Sequence, residues 1–188
     1  MNFDNEKKQA LHKLDKSKKG HIDEQIRSLI EIINQHPDYY STSSCAGRIM
    51  LFIPAKKKMD AVWLFTSHKP IKISDIKPYL DNLPKKTVWC RMEPPIIHIV
   101  ARNLDSADSL LKIANNAGFR RSCILSMKNR IIIEINIPEK LDAPIAENGE
   151  LIITKNYLKT LIEHTNSRLE KTRKKLKNLE RLFLQQHN

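Results

Sequence analysis

The sequence predicts an α+β fold with a mixed β-sheet and a long, basic C-terminal helix. Apolar residues make up 40% of the 188 residues and charged residues 29%, which is the balance of a globular protein with a real core. Segments with helical periodicity alternate with segments rich in β-branched and aromatic residues, and a heptad pattern closes the chain. These observations indicate one ordinary domain with a helical appendage.

The helices and strands are expected in a definite order. A first helix covers residues 3–15, and a second begins after Asp23. Two more helices occupy residues 74–80 and 105–118, the latter capped by Asp105. The predicted strands cover residues 39–44, 48–53, 61–66, 87–92, 96–101, 122–127 and 130–137.

The order helix–strand–strand occurs twice along the chain, with Ser44-Cys45 and Ser122-Cys123 at comparable places. An internal duplication would explain this pattern and would build the sheet from two related halves. Few residues are identical between the halves, so chance similarity is the alternative.

The last segment follows a heptad pattern over nearly four repeats. Thr154 is suited to cap a helix of about 30 residues, whose seam packs either on the body of the protein or on a second copy. We therefore expect one catalytic domain over residues 1–150, a helix over residues 151–188, and a monomer or a weak homodimer formed through that helix. The seam comprises Leu158, Ile162, Thr165, Leu169, Thr172, Leu176, Leu179 and Phe183.

Positive charge is concentrated at the two ends of the chain. The 33 basic and 21 acidic residues give a net charge of +12. Nine Lys or Arg against three Glu lie in residues 155–188, and six Lys against three acidic residues lie in the arm of residues 1–20. Such arms are typical of proteins that bind nucleic acid, and the alternative is a solvated helix that maintains solubility. The side chains expected on an RNA backbone are Lys171, Arg173, Lys174, Lys175 and Lys177.

Several classes of protein are excluded by the composition. The four glycines are too far apart for a glycine-rich nucleotide loop. No window is apolar enough for a membrane span, and the first residues lack the apolar stretch of a secretory signal. The three cysteines and seven histidines show neither a disulfide framework nor metal-ligand spacing. We expect a cytoplasmic protein without a metal site.

Four polar clusters lie at positions where apolar residues would stabilise a core more strongly. The most distinctive is the run Ser-Thr-Ser-Ser-Cys-Ala-Gly-Arg at residues 41–48, which combines hydroxyls, a thiol, a glycine and a guanidinium that can bind phosphate or carboxylate. A polar edge strand is the structural alternative. The other clusters are Ser67-His68-Lys69, Glu93-Pro94-Pro95 with His98, and Gly118 to Ser122.

In their order and spacing these clusters resemble the tRNA wybutosine-synthesizing protein 3 family, over nearly the whole chain. The run at residues 41–48 is the most specific part of the resemblance. The other matching features are residues 14–23, Tyr40, Trp63, Ser67-His68, Glu93-Pro94 with His98, and Gly118-Phe119-Arg120.

The resemblance implies an S-adenosylmethionine-dependent methyltransferase. The family's substrate is a tricyclic guanosine derivative at position 37 of phenylalanine tRNA, beside the anticodon. The expected reaction methylates N-4 of 7-(3-amino-3-carboxypropyl)-4-demethylwyosine in wybutosine biosynthesis. The family fold differs from the common methyltransferase fold, which agrees with the missing glycine fingerprint.

The resemblance also suggests roles for individual residues. Methyl transfer from a sulfonium needs alignment and a proton acceptor. His68 or His98 is expected to accept the proton, with Glu93 orienting an imidazole. The cofactor is expected to contact Ser43, Ser44, Cys45, Arg48 and Trp63, and the substrate Lys19, Asp23, Phe119, Arg120 and Ser122.

Three other functions compete with the methyltransferase on the residues alone. The first is a non-catalytic basic RNA-binding module, and the second is a thiol-dependent hydrolase or transferase built on Cys45. The third is a basic structural adaptor. If the C-terminal helix serves only to hold RNA, deleting residues 165–188 should weaken tRNA binding and leave cofactor binding nearly unchanged.

Overall fold

The computed structural model describes residues 2–12, 21–56 and 60–187. Lys19 and most of the run at residues 14–23 lie outside the described residues. The helices are α1 (Phe3–His12), α2 (Arg27–Gln35, preceded by a 3₁₀ turn at Glu24–Ile26), α3 (Ile73–Leu80), α4 (Leu104–Asn116) and α5 (Lys155–His187). The strands are β1 (Tyr39–Cys45), β2 (Arg48–Ile53), β3 (Val62–Ser67), β4 (Val88–Glu93), β5 (Ile96–Ala101), β6 (Cys123–Ser126), β7 (Ile131–Ile135), β8 (Leu141–Glu147) and β9 (Glu150–Leu151).

The strands form two sheets, with the orders β1-β5-β7-β6 and β3-β2-β4-β8-β9. Every pairing among the described strands is antiparallel. The α+β class is therefore confirmed, whereas the prediction of a mixed sheet is wrong. The two helix–strand–strand segments are arranged differently, because β1 and β2 belong to different sheets while β6 and β7 are neighbours in one, which favours chance similarity over an internal duplication.

The chain divides into two compact units, each assembled from separate segments. The first unit contains Met1–Ala46, Pro95–Pro138 and Arg173–Asn188, and the second contains Gly47–Pro94 and Glu139–Thr172. This division differs from the expected one at residue 150, because both the polar run at residues 41–48 and the helix α5 contribute to both units.

The core of the first unit lies on one face of the β1-β5-β7-β6 sheet. Ile97 and Ile99 of β5 are buried in it, together with apolar residues of α2, α4 and the C-terminal part of α5. His98, between those two isoleucines, points to the opposite face because side chains alternate along a strand.

The core of the second unit lies on one face of the other sheet. Ile49 and Leu51 of β2 and Cys90 of β4 pack there with Ile76 of α3 and with the N-terminal part of α5. The alternate residues Arg48, Trp89 and Glu93 of β2 and β4 therefore project from the other face.

Helix α5 buries its entire predicted seam on the same chain, which places the seam in the protein's own cores. The Thr154 hydroxyl accepts a hydrogen bond from the Tyr157 N–H at 3.1 Å, as expected of a cap. Two seam positions are threonine, and their hydroxyls donate to carbonyls one turn earlier in the helix, which satisfies them inside the core.

Two details of the predicted elements need correction. The cap of α4 is Asn103, whose side chain accepts from the Ser106 N–H at 2.8 Å, and not Asp105. The β8–β9 hairpin is absent from the predicted strands, although Asn148 and Gly149 form its two-residue turn with φ values of 52° and 87°. Within the described residues, no helix is long and apolar enough to cross a bilayer.

Candidate active site

Three side chains on adjacent strands of the first unit form a hydrogen-bonded row. The Ser43 hydroxyl lies 2.7 Å from Nδ1 of His98, and Nε2 of His98 lies 3.1 Å from Oε2 of Glu134. Ser43 is exposed, and the imidazole and the carboxylate are 27% and 20% exposed. Solvent or a ligand can therefore reach the serine end of the row.

The strand register explains this arrangement. Ser43 of β1 is the direct partner of His98 on β5, and His98 is the direct partner of Glu134 on β7. A bulge between Ser41 and Ser43 shifts the register of β1, so that Ser43 faces the histidine. The row is thus a product of backbone pairing and is held rigidly.

Electrostatics fixes the charge and tautomer of the row. The hydrogen bond that Asn136 donates at 3.0 Å, and secondly the contact with His98, hold the pKa of Glu134 below its usual value. An ionised Glu134 accepts the Nε2–H of His98, which leaves Nδ1 as the acceptor for the Ser43 hydroxyl. The imidazole is therefore set up to take a proton on Nδ1.

Glu134 and Asn136 are absent from the predicted site. They interrupt the apolar run Ile131 to Ile137 at alternate positions, which is the signal that would have marked one polar face of a strand. The carboxylate hydrogen-bonded to His98 is Glu134, so the prediction that Glu93 orients this imidazole is wrong.

The end of β1 is anchored by two charged side chains. The buried Asp23 carboxylate accepts the Ala46 N–H at 2.8 Å, and the Arg173 guanidinium donates to the Ala46 carbonyl. Cys45, which precedes Ala46, is half-buried. Asp23, expected on the substrate, and Arg173, expected on the RNA backbone, thus both hold the protein's own backbone.

In the second unit, Arg48, Trp63 and Glu93 form one cluster. Arg48 and Glu93 are direct partners on β2 and β4, and Nη2 of the guanidinium lies 2.9 Å from Oε2 of the carboxylate. The guanidinium stacks 4.1 Å from the ring centroid of Trp63, which remains 44% exposed. A cation, an anion and an aromatic surface are therefore presented together.

His68 lies in the same unit and is tied to the glycine of the polar run. Its Nδ1 lies 2.9 Å from the carbonyl oxygen of Gly47. Gly47 has a φ of 83°, which favours glycine at this point of the chain. Because a carbonyl accepts, Nδ1 of His68 carries the proton, and Nε2 is the nitrogen that would act as a base.

Two of the residues expected to bind the substrate, Phe119 and Ser122, contact the protein itself. Phe119 is completely buried in the core of the first unit, so its ring is not presented to a base. The Ser122 hydroxyl donates to the Phe119 carbonyl at 2.8 Å and accepts the Asn136 N–H, while Arg120 is exposed. Arg120 is the member of this group best placed to meet a ligand.

The basic side chains of α5 fall into two groups. Lys171, Lys174 and Lys177 are exposed. Arg173 is half-buried, and the stem of Lys175 lies against Gly118, where an added Cβ would come within 3.2 Å of Lys175 Cε. The exposed lysines are thus the ones suited to contact an RNA backbone. The convergence of Ser44, His68, Glu93 and His98 on one pocket stays a prediction.

Comparison with known proteins identifies the family. Residues 5–185 match the family model described as "Methyltransferase TYW3". The chain belongs to this family. The match includes every residue of the two clusters described above.

Several relatives of the TYW3 family resemble the chain along most of its length. A Thermococcus sibiricus protein named "tRNA(Phe) 7-((3-amino-3-carboxypropyl)-4-demethylwyosine(37)-N(4))-methyltransferase" is 36% identical over 183 residues, covering 95% of this chain and 93% of that protein. A Xenopus laevis "tRNA wybutosine-synthesizing protein 3 homolog" is 33% identical over 180 residues, and the aligned region covers 93% of this chain and 71% of that protein.

Solved structures share the fold. The PH1069 protein from Pyrococcus horikoshii superposes with a TM-score of 0.90 at 33% identity, covering 97% of this chain and 96% of that one. A hypothetical protein from Aeropyrum pernix gives a TM-score of 0.75 at 28% identity, covering 87% of this chain and 98% of that one.

Proposed function

We propose that this member of the TYW3 family methylates N-4 of 7-(3-amino-3-carboxypropyl)-4-demethylwyosine at position 37 of phenylalanine tRNA, with S-adenosylmethionine as the methyl donor. The observation that carries the proposal is the similarity to proteins named for this reaction along 95% of the chain. Because its substrate is tRNA, we place the enzyme in the cytoplasm.

The residues of the second unit fit the methyl donor. S-adenosylmethionine supplies the methyl group as a sulfonium, which transfers by in-line displacement. Arg48 and Glu93 carry the charges that complement its amino-acid end, and the exposed surface of Trp63 suits its adenine ring. Ser43, Ser44 and Cys45, on β1 of the first unit, remain expected contacts of the cofactor.

The row in the first unit supplies the proton path. The nitrogen that gains the methyl group gives up a proton, and the Ser43 oxygen accepts it while passing its own proton to Nδ1 of His98. The ionised Glu134 stabilises the imidazolium that results. The proton therefore ends on His98, and no other group in the row changes its charge.

The tRNA backbone is held by the exposed lysines of α5, Lys171, Lys174 and Lys177. A single modified base offers little nonspecific affinity, whereas cations along a helix neutralise phosphates irrespective of sequence. The anticodon region, which contains position 37, is the part of the tRNA that we expect to contact the protein.

The proposal is tested by following labelled methyl groups from S-adenosylmethionine into phenylalanine tRNA. Label should enter tRNA that carries the 4-demethylated aminocarboxypropyl base and should not enter tRNA with an unmodified guanosine at position 37. Label in both would contradict the substrate assignment. The non-catalytic RNA-binding alternative predicts that tRNA binds but that calorimetry detects no binding of S-adenosylmethionine.

A further inference from the structure

We propose that Arg173 is a positioning residue: with Asp23, it fixes the backbone around Ala46 and so holds the end of β1, whose Ser43, Ser44 and Cys45 are expected to contact the methyl donor. This inference rests on the proposed function. It removes Arg173 from the set of side chains expected on the RNA backbone.

Ala46 lies just beyond the paired part of β1. The pairing of β1 with β5 ends at Cys45, so the peptide groups on either side of Ala46 lie beyond the sheet. Ala46 is 0% exposed, and buried peptide groups need partners. The Asp23 carboxylate satisfies the N–H on one side and the Arg173 guanidinium the carbonyl on the other.

The Arg173 side chain is half-buried beside the end of β1. Burial lowers the pKa of Arg173, while the negative charges of Asp23 and of a Cys45 thiolate act in the opposite direction. Burying a guanidinium in this way costs free energy that an exposed phosphate contact would not require. The neighbours Lys171 and Lys174 are exposed on the same helix, so Arg173 is directed inward where these two lysines are directed outward.

The charge of Arg173 also acts on the Cys45 thiol. A positive charge close to a thiol favours the thiolate, and Arg173 interacts with Cys45, whereas the Asp23 carboxylate, within 4.8 Å of the Cys45 thiol, acts in the opposite direction. Removing the Arg173 charge should therefore change the pH dependence of Cys45 alkylation, with Asp23 left in place. Cys90 is buried in the core of the second unit, where burial raises the pKa of its thiol to about 11. Cys123 is exposed, and after digestion it lies on a different peptide from Cys45, so mass spectrometry distinguishes the two thiols.

The experiment compares Arg173→Gln and Arg173→Lys with Arg181→Gln, which removes the same charge from an exposed position of the same helix. Three quantities are measured on each full-length protein. They are the dissociation constant of S-adenosylmethionine by calorimetry, the salt dependence of tRNA binding, and the pH profile of Cys45 alkylation by iodoacetamide, followed by mass spectrometry.

Arg173→Gln should weaken S-adenosylmethionine binding about tenfold, the effect expected on losing a hydrogen bond from a charged donor. It should also move the alkylation profile of Cys45 to higher pH. Arg173→Lys, which keeps the charge, should restore the alkylation profile and part of the affinity. Arg181→Gln should change neither quantity.

Other outcomes would overturn the inference. An unchanged alkylation profile in Arg173→Gln contradicts the placement of the guanidinium. A log–log salt slope reduced by about one with unchanged donor affinity would make Arg173 a phosphate contact instead. If the unaltered protein binds no S-adenosylmethionine, the proposed function fails, while the alkylation profiles still decide the role of Arg173. If Arg173→Gln does not fold, the comparison rests on Arg173→Lys.

Discussion

His98 is the residue on which the proposed proton transfer depends. It accepts from Ser43 and donates to Glu134, so its ring is fixed on both sides. His68 is the competing base, and its Nδ1 already donates to a backbone carbonyl. The two histidines therefore differ in their connections, and single substitutions can separate them.

Replacing His98 with Asn should lower kcat by about 10²- to 10⁴-fold, the usual contribution of a general base. The KM for S-adenosylmethionine should change little, because His98 acts on the substrate's proton. Steady-state methylation kinetics measure both quantities. His164→Asn, at an exposed position of α5, is the matched control and should retain full activity. A His68→Asn variant with the larger loss would transfer the role to His68.

The lowered pKa of Glu134 predicts a pH-dependent contribution to stability. A carboxyl whose pKa is depressed in the folded protein stabilises that state above its unfolded pKa, near 4.5, and this contribution disappears as the pH falls through the folded value. Thermal unfolding of the unaltered protein and of Glu134→Gln should differ at pH 7, and the difference should shrink below about pH 4.5.

The control for this measurement is Glu31→Gln, at an exposed position of α2 in the same unit. Its unfolding temperature should follow that of the unaltered protein at each pH. A difference for Glu134→Gln that stays constant from pH 7 to pH 3 would show that Glu134 is not held in its ionised form.

At the scale of elements, α5 combines a structural and a binding function. Its seam is buried in the cores of both units, so deletion of residues 165–188 removes core residues as well as charges. The expectation that such a deletion leaves cofactor binding nearly unchanged is therefore withdrawn. Point substitutions separate the two functions of the helix.

Leu179→Ala tests the structural function of α5. Leu179 is completely buried, and truncating a buried leucine costs about 2–5 kcal/mol of unfolding free energy. Denaturant unfolding measures this loss. Leu184→Ala, at a residue that is 37% exposed near the end of the same helix, should cost much less. Equal losses would mean that the seam does not pack as described.

Most helices and strands were predicted from local sequence patterns, because hydrophobic periodicity and turn residues determine them locally. The bounds of β2 and β5 agree with the predicted ranges, and the heptad pattern located the buried face of α5. β8 escaped prediction because Asp142 and Pro144 are unusual within a strand, although the Asn148-Gly149 turn marks the hairpin. Its place in the sheet depends on pairing with β4, which no local pattern encodes.

The candidate site was predictable only in part, for a related reason. The polar run of β1 and His98 stood out because polar residues interrupt apolar strands. Glu134 lies far from both in sequence, and only the antiparallel order β1-β5-β7 brings it beside His98. Likewise, Arg173 belongs to one basic stretch with Lys171 and Lys174, and its inward direction follows from how α5 packs.

At the scale of the whole molecule, the net charge of +12 predicts a strong salt dependence of tRNA binding. If about six phosphates are engaged, log Kd should rise against log salt with a slope on the order of 4 to 5. Replacing Lys171, Lys174 and Lys177 with Gln should lower this slope by about 2 to 3. Filter binding over a range of salt concentrations measures the slope.

A double variant, Lys85→Gln with Lys86→Gln, serves as the control because both lysines are exposed and lie away from α5 in sequence. Its slope should match that of the unaltered protein. A slope that falls equally in both variants would show that tRNA responds to overall charge rather than to the lysines of α5.

The most direct test of the proposed methyl transfer is mass spectrometry of nucleosides from phenylalanine tRNA incubated with the protein and S-adenosylmethionine. The tRNA should carry the 4-demethylated aminocarboxypropyl base at position 37. The proposed function predicts that this nucleoside gains the mass of one methyl group and that fragmentation places the methyl on the tricyclic base. An unchanged nucleoside, with the protein folded and tRNA bound, would contradict the proposed function.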